Sequence, residues 1–186
     1  KVALLVAGGK QPGRVVVFDL AGKPPAHAII RRSDTETVPA SALSTPEPVS
    51  WKSFDGEHAH GLYYPPASEG FEGIGAPPLI VIIHGVPTSQ VVAGWAAQAQ
   101  YFATRGYAVL FPNYRGSTGY GRDYMLKLRE SWGIYDVQDA KFGADALADR
   151  GMADPSRLVI MGGSAGGYTV LQSLVEVPGF YKAGIC

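Results

Sequence analysis

Three short apolar runs, at residues 79–83, 107–111 and 158–161, determine the predicted architecture of the chain. Continuous apolar runs are typical of strands buried on both faces of a parallel sheet. Between them, apolar residues recur at helical spacing until Arg-Gly pairs, so Gly106 and Gly151 are predicted C-terminal caps. The periodic positions are Trp95, Ala99 and Phe102 in one segment and Val137, Ala140, Ala144 and Leu147 in the other. This alternation predicts an α/β fold with a mostly parallel sheet and helices on both faces.

Other β-rich runs precede this region and are predicted to pair as hairpins. Residues 49–54 and 57–64 flank Asp55-Gly56, a strong turn signal, which predicts antiparallel edge strands. Residues 2–7 and 14–20 predict another hairpin with a slightly long loop. The segment that follows them is rich in Pro, Ser and Thr and has little periodicity, as expected of a linker. We therefore predict a hairpin region at 1–22, a linker at 23–47 and the α/β domain at 48–186.

The most informative motif is Gly162-Gly163-Ser164-Ala165-Gly166, which lies between the third buried run and another apolar-periodic segment. The order strand, tight turn, helix is the context of a serine nucleophile elbow, where small neighbours let the serine occupy a strained turn with its hydroxyl exposed. Glycine-rich turns follow many strands, so the pattern alone is weak, but its context favours a nucleophile over a structural turn. Ser164 is therefore the predicted nucleophile.

A serine nucleophile also needs donors for the oxyanion that forms on the attacked carbonyl. The backbone N–H of Ala165, at the start of the predicted helix, is the first predicted donor. The N–H of Val86 is the second, because the segment His84-Gly85-Val86-Pro87 directly follows the first buried strand. A β-branched residue adopts a positive φ with difficulty, so we expect Val86 either to keep ordinary dihedrals or to carry strain.

Several other polar residues are better explained by structural roles. His84 precedes the serine at a strand end, which favours a hydrogen bond that shapes the loop over a general base. His58 and His60 share one face of a predicted strand, but no third ligand is apparent, so surface or packing roles are favoured and no metal site is predicted. Asp136 and Asp139 are predicted to cap the second helix and to interact with its dipole.

The glycine-rich segment 113–121 follows the second buried run. It lacks both the Gly-Lys-Ser/Thr ending of a phosphate loop and the glycine order of a dinucleotide site, so no cofactor is predicted. We interpret it as a tight loop on the active face of the sheet. Arg115 within it either anchors the loop to a carboxylate or touches the substrate, and the sequence leaves both roles open.

Composition narrows the classes of partner. Sixteen basic and sixteen acidic side chains balance in the 186 residues, so neither nucleic acid nor an acidic membrane is an expected partner. The single cysteine, Cys186, excludes an internal disulfide. No apolar run approaches the roughly 20 residues that span a bilayer. No segment resembles a complete export signal, so a cytoplasmic location is expected, and the oligomeric state stays open.

Several segments together resemble the prolyl oligopeptidase family of serine peptidases, particularly its acylaminoacyl-peptidase and dipeptidyl-aminopeptidase-like members. The matching segments are 53–61, 84–87, 113–121, 132–133, 136–139 and 162–168. The resemblance implies the N-terminal half of an α/β-hydrolase domain, preceded at 1–22 by the end of a β-propeller. It also implies that Ser164 attacks the carbonyl of short peptides to form an acyl-enzyme. Val86 stands where the family commonly has glycine, although a backbone donor survives this difference.

The residues after Ser164 include no histidine and no aspartate. In hydrolases built on this elbow, the acid and then the histidine follow the serine in chain order. We therefore expect the chain to be a fragment whose triad acid and base lie beyond Cys186, and we expect it to be inactive by itself. Two alternatives stay open: a carboxylesterase of the same fold, since esters and amides share the acyl-transfer apparatus, and a noncatalytic hydrolase-like scaffold.

Overall fold

The computed structural model describes residues 1–22 and 26–186, and the first of its two sheets is antiparallel. Its strands are β1 (Val2–Gly8), β2 (Gln11–Asp19) and β3 (Ala26–Arg32). The predicted N-terminal hairpin is confirmed, but its loop is shorter than expected because pairing continues to Gly8 and Gln11. Strand β3 lies inside the predicted linker 23–47, of which residues 23–25 are outside the described residues.

Strand β3 is an element that the composition of residues 23–47 did not predict. Most of its residues are exposed, so the strand has no alternating apolar pattern that the sequence could reveal. Its hydrogen-bonding partner, β2, holds it in place over the register from Arg14–Arg32 to Asp19–Ala26. A short 3-10 helix at Ala40–Ala42 follows before the second sheet begins.

The second sheet has six strands in the order β4-β5-β7-β6-β8-β9. Their bounds are β4 (Glu47–Lys52), β5 (His58–Tyr64), β6 (Leu79–Ile83), β7 (Ala108–Asn113), β8 (Leu158–Gly162) and β9 (Ala183–Ile185). Strands β7, β6, β8 and β9 run parallel, whereas β4 and β5 form the predicted antiparallel hairpin and join the sheet through β7. The mostly parallel α/β sheet is thus confirmed.

Helices cover both faces of this sheet, as the sequence predicts. They are α1 (Ala97–Ala103), α2 (Arg122–Leu126), α3 (Tyr135–Asp149) and α4 (Ala165–Glu176). Gly106 and Gly151 have φ of 87° and 72°, so both adopt the left-handed conformation of a C-terminal cap. In the part of the chain that the structure describes, no helix has the length and apolar character needed to cross a membrane.

The core follows from the alternation of side chains along the buried strands. Val81 and Ile83 of β6 pack in the cluster that includes residues of α3 and α4. Ile80 and Ile82 pack on the opposite face with Ala99 of α1. Because β6, β7 and β8 are parallel, the loops that follow them meet at one edge of the sheet, where such folds bind ligands.

Candidate active site

Ser164 occupies the turn between β8 and α4 with φ 55° and ψ −121°, a conformation that L-amino acids rarely adopt. The residue is exposed at the carboxyl edge of the sheet. A Cβ at Gly162 would lie 2.6 Å from the carbonyl oxygen of Gly166, and a Cβ at Gly166 would overlap the carbonyl oxygen of Ile83. The strand and helix therefore approach too closely for side chains at either glycine, as the elbow motif predicts.

Helix α4 begins at Ala165, directly after the serine. The first N–H groups of a helix have no intrahelical acceptor, and the helix dipole makes this end positive. The following turn closes with hydrogen bonds from Gly166 N–H to Gly163 O, at 2.9 Å, and from Tyr168 N–H to Ser164 O, at 3.1 Å. The N–H of Ala165, the predicted first donor, is therefore one of the N–H groups at the start of α4 that have no intrahelical acceptor.

The loop after β6 lies beside this turn. A Cβ at Gly85 would lie 3.4 Å from Ser164 Cβ and 3.0 Å from Gly163 O, so only a glycine fits without displacing its neighbours. Val86 has φ 48°, and the residue is 68% exposed. Of the two outcomes expected for Val86, the structure therefore shows strain, because a β-branched residue rarely adopts a positive φ.

Both ring nitrogens of His84 have hydrogen-bond partners, one in its own loop and one in the loop after β7. Its Nδ1 lies 3.0 Å from Gly85 O, its Nε2 lies 2.9 Å from Ser117 Oγ, and its ring stacks on Tyr114 with centroids 4.6 Å apart. Burial lowers the pKa of His84, although the hydrogen bond to Gly85 opposes this shift. Within the described residues no histidine is hydrogen-bonded to Ser164. The predicted loop-shaping role of His84 is consistent with these contacts.

His60 of β5 has a packing role. The His60 ring stacks on Tyr120 with centroids 4.6 Å apart, and burial lowers its pKa. His58 on the same strand is exposed. Across residues 1–22 and 26–186, no group of three or more His, Cys, Asp or Glu side chains could hold a metal ion.

Arg115 anchors its loop to carboxylates, which resolves one alternative that the sequence left open. Its side chain is completely buried and pairs with Asp139 at 2.7 Å and with Asp55 at 2.5 Å. Burial lowers the pKa of Arg115, but the hydrogen bonds to Asp139 and Asp55 outweigh this effect and raise it. Glu57 lies at the outer side of this network and pairs with Lys127.

The capping prediction is wrong for Asp139. Its carboxylate accepts hydrogen bonds from the backbone and side chain of Arg115 and from Ser53 Oγ, which lies 2.6 Å away. Helix α3 begins at Tyr135, so only Asp136 lies in its first turn. The sequence could not reveal the role of Asp139 because its partners lie 24 and 86 positions away.

Asp136 lies in the predicted first turn, but its carboxylate mainly joins two other segments. It accepts a hydrogen bond from Gly133 N–H at 2.7 Å and one from Thr169 Oγ1 at 2.6 Å. Burial raises its pKa, and these hydrogen bonds only partly oppose that shift. Asp136 therefore fastens the turn before α3 to the helix that carries Ser164.

Comparisons with known proteins agree with this geometry. The model of the prolyl oligopeptidase family matches residues 94–186. The chain is 35% identical over 120 residues to an acylamino-acid-releasing enzyme from Arabidopsis thaliana. The aligned residues cover 64% of this chain and 16% of that protein. The chain thus spans about a sixth of that relative's length.

Two solved structures share the whole arrangement. A puromycin-hydrolyzing peptidase from Mycobacterium tuberculosis superposes with a TM-score of 0.91 at 36% identity, over 98% of this chain and 28% of that one. An acylaminoacyl peptidase, solved in complex with Z-Gly-Gly-Phe-chloromethyl ketone, superposes with a TM-score of 0.80 at 26% identity, over 98% and 28%. The chain belongs to the prolyl oligopeptidase family of serine peptidases, with the α/β-hydrolase fold of that family.

Proposed function

We propose that the protein is a serine peptidase that cleaves short peptides through an acyl-enzyme on Ser164. One observation supports this most strongly: the exposed Ser164 lies at a strained strand-to-helix turn, at the first N–H of α4 and directly against Gly85. A hydroxyl, a helix N-terminus and a neighbouring loop amide are the parts that acyl transfer requires at one point.

The chemistry follows from these positions. Ser164 Oγ attacks the peptide carbonyl and transfers its proton to a general base, while the N–H groups of Ala165 and Val86 stabilise the oxyanion. The C–N bond then breaks, the amine leaves with the proton, and water hydrolyses the resulting ester. The general base of this proposal is a histidine that an acid orients, as in a Ser-His-Asp triad.

The relatives suggest the substrate class. One is named an acylamino-acid-releasing enzyme, one is a puromycin-hydrolyzing peptidase, and one holds a short peptidyl chloromethyl ketone. The first name concerns an acylated amino acid, and the ligand of the third structure contains a short peptide. We therefore propose small aminoacyl or acylaminoacyl amides and short peptides as substrates.

Covalent labelling tests the proposal. Full-length protein is treated with a fluorophosphonate probe, and the modified peptide is identified by mass spectrometry. We expect the label on Ser164, no label in Ser164→Ala, and unchanged labelling in Ser156→Ala, an exposed serine whose Oγ bonds to Asp154. Absence of labelling in the folded full-length protein would contradict the proposal and favour a noncatalytic scaffold.

Substrate panels distinguish the peptidase from an esterase. Wild-type protein is assayed with matched aminoacyl amides and simple acyl esters that share the same acyl group. We expect turnover of both classes, because esters are chemically easier, with kcat/KM for the amides far above the level of Ser164→Ala. Turnover of esters alone would replace the peptidase with a carboxylesterase.

A further inference from the structure

We propose that Ser117 and His84 act as positioning residues that hold Val86 N–H where it can donate to the oxyanion. The pair is called the Ser117–His84 clamp below. The inference rests on the proposed function of Ser164, but its structural part can be tested without any catalytic activity.

The backbone at Val86 needs an external restraint. Its φ of 48° is unfavourable for a β-branched residue. The exposed isopropyl group has little packing that could hold this conformation. Strained backbone persists only where surrounding contacts determine it more strongly than its local preference does.

His84 supplies contacts at the required place, two residues before Val86. A carbonyl oxygen can only accept, so Nδ1–H of His84 donates to Gly85 O. In the neutral ring, which burial favours, Nε2 then accepts from Ser117 Oγ–H. Stacking on Tyr114 fixes the plane of the same ring. The imidazole thus connects the backbone beside Val86 to the loop after β7.

Ser117 is a suitable fixed point because its own segment is rigid. The residue is completely buried, and its N–H donates to Tyr114 O at 2.9 Å. Arg115, two residues earlier, is held in the buried ion pair with Asp139. Through the clamp, the buried segment 114–117 therefore restrains the loop at residues 84–87.

Other hydrogen bonds fasten the far end of the same loop. Thr118 N–H donates to Ser89 O at 3.0 Å, and the amide of Asn113 bonds both the N–H and the carbonyl of Val91. Ser89 N–H also donates to Val86 O at 2.6 Å, so the C-terminal side of Val86 is held by backbone hydrogen bonds. The clamp is the side-chain restraint on its N-terminal side. Loss of Ser117 Oγ should loosen residues 84–87 without detaching the whole loop.

The contacts favour positioning over proton transfer by His84. Both ring nitrogens have partners other than Ser164, and the ring lies between Tyr114 and the loop it shapes. A positioning residue affects transition-state stabilisation through the group that it holds, so its loss should lower kcat with little change in KM. A substitution that relieves the backbone strain at Val86 should therefore reduce the loss of kcat caused by removing the clamp.

The experiment compares four forms of the full-length protein: wild type, Ser117→Ala, Val86→Gly and the double variant. Ser44→Ala is the matched control, because Ser44 is equally buried and also loses one Oγ hydrogen bond, to Pro65 O at 2.6 Å. Hydrogen exchange of peptides covering residues 84–92 is followed by mass spectrometry. Values of kcat and KM are measured with an aminoacyl amide.

We expect Ser117→Ala to speed exchange in residues 84–92 and to lower kcat roughly tenfold, with KM within about twofold. In the Val86→Gly background the same substitution should lower kcat by less than about threefold, because glycine adopts the required φ without a restraint. Ser44→Ala should change neither measurement. Unchanged exchange in Ser117→Ala, or an equal kcat loss in both backgrounds, would overturn the clamp. Failure of wild type to label or cleave would instead overturn the proposed function, and the exchange data would still decide whether the clamp exists.

Discussion

The carboxylate of Asp139 and the guanidinium of Arg115 form an ion pair from which solvent is excluded, with 2.7 Å between Oδ1 and Nη2. Asp139 also accepts from the backbone N–H of Arg115 at 2.8 Å, so the pair fixes main chain as well as side chain. It joins α3 to the loop after β7, and Ser117 of that loop contacts His84 in the loop after β6. The buried Asp139–Arg115 pair thereby supports the candidate active site indirectly, through the loop that carries Ser117.

Removal of one partner should be strongly destabilising. Asp139→Ala leaves the guanidinium of Arg115 buried without its main partner, and we expect the free energy of unfolding to fall by about 3–5 kcal/mol. Arg115→Lys should lose most of the same amount, because an ammonium cannot reproduce the forked geometry. Urea unfolding of the full-length protein measures both values.

Asp145→Asn is the matched control on the same helix. Asp145 pairs with Lys141 at 2.6 Å, but both side chains are partly exposed. A surface pair of this kind contributes little, so the change should stay within about 0.5 kcal/mol. Comparable losses of unfolding free energy in Asp139→Ala and Asp145→Asn would contradict the claim that burial makes the Asp139–Arg115 pair important for stability.

The parts of the fold that sequence predicted are those determined by local patterns. Three buried strands, the hairpin around Gly56 and the elbow at Ser164 each carry their signal within a few residues. Strand β3 carries no such signal because its residues are mostly exposed and its hydrogen bonds come from β2. Long-range pairing is therefore what the sequence pattern fails to reveal here.

The same distinction between local patterns and long-range partners applies to the candidate site. Ser164, Ala165 and Val86 could be proposed from motif and order alone, whereas the roles of Asp139 and Ser117 depend on partners far along the chain. A helix-start position made capping the natural prediction for Asp139. Only the three-dimensional arrangement shows that its carboxylate instead meets Arg115.

The elbow should tolerate no side chain at Gly166. A methyl group there would overlap the carbonyl oxygen of Ile83, so strand β6 or helix α4 must shift. We expect Gly166→Ala to lower the free energy of unfolding by about 1–3 kcal/mol and to reduce fluorophosphonate labelling of Ser164. Gly163→Ala is the control for stability, because nothing lies within 4 Å of its added Cβ. Equal stability losses at the two positions would contradict the close-approach argument.

Asp136 should give stability a distinct pH dependence. Burial raises the pKa of its carboxyl above the ordinary 3.8, so the folded state retains the proton to higher pH than the unfolded state. Its contribution is therefore largest below pH 3.8 and is lost as the pH rises through the folded pKa. Urea unfolding from pH 4 to 7 should show wild type losing stability relative to Asp136→Asn, which cannot ionise. A constant difference between the two proteins would contradict the raised pKa.

The two partly buried histidines should make the protein less stable in mild acid. Burial lowers the pKa of both His84 and His60 below the ordinary 6.5. Between the folded pKa and 6.5 the unfolded chain binds more protons, so the free energy of unfolding falls as the pH drops below about 6.5. We expect His84→Gln to show a shallower decline than wild type in urea unfolding at pH 7.5, 6.5 and 5.5. His27→Gln, at an exposed position of β3, serves as the control for the histidine-to-glutamine substitution itself. A wild-type slope in His84→Gln would show that the His84 ring has the same proton affinity in the folded and unfolded states, contrary to its burial beside Tyr114 and Ser117.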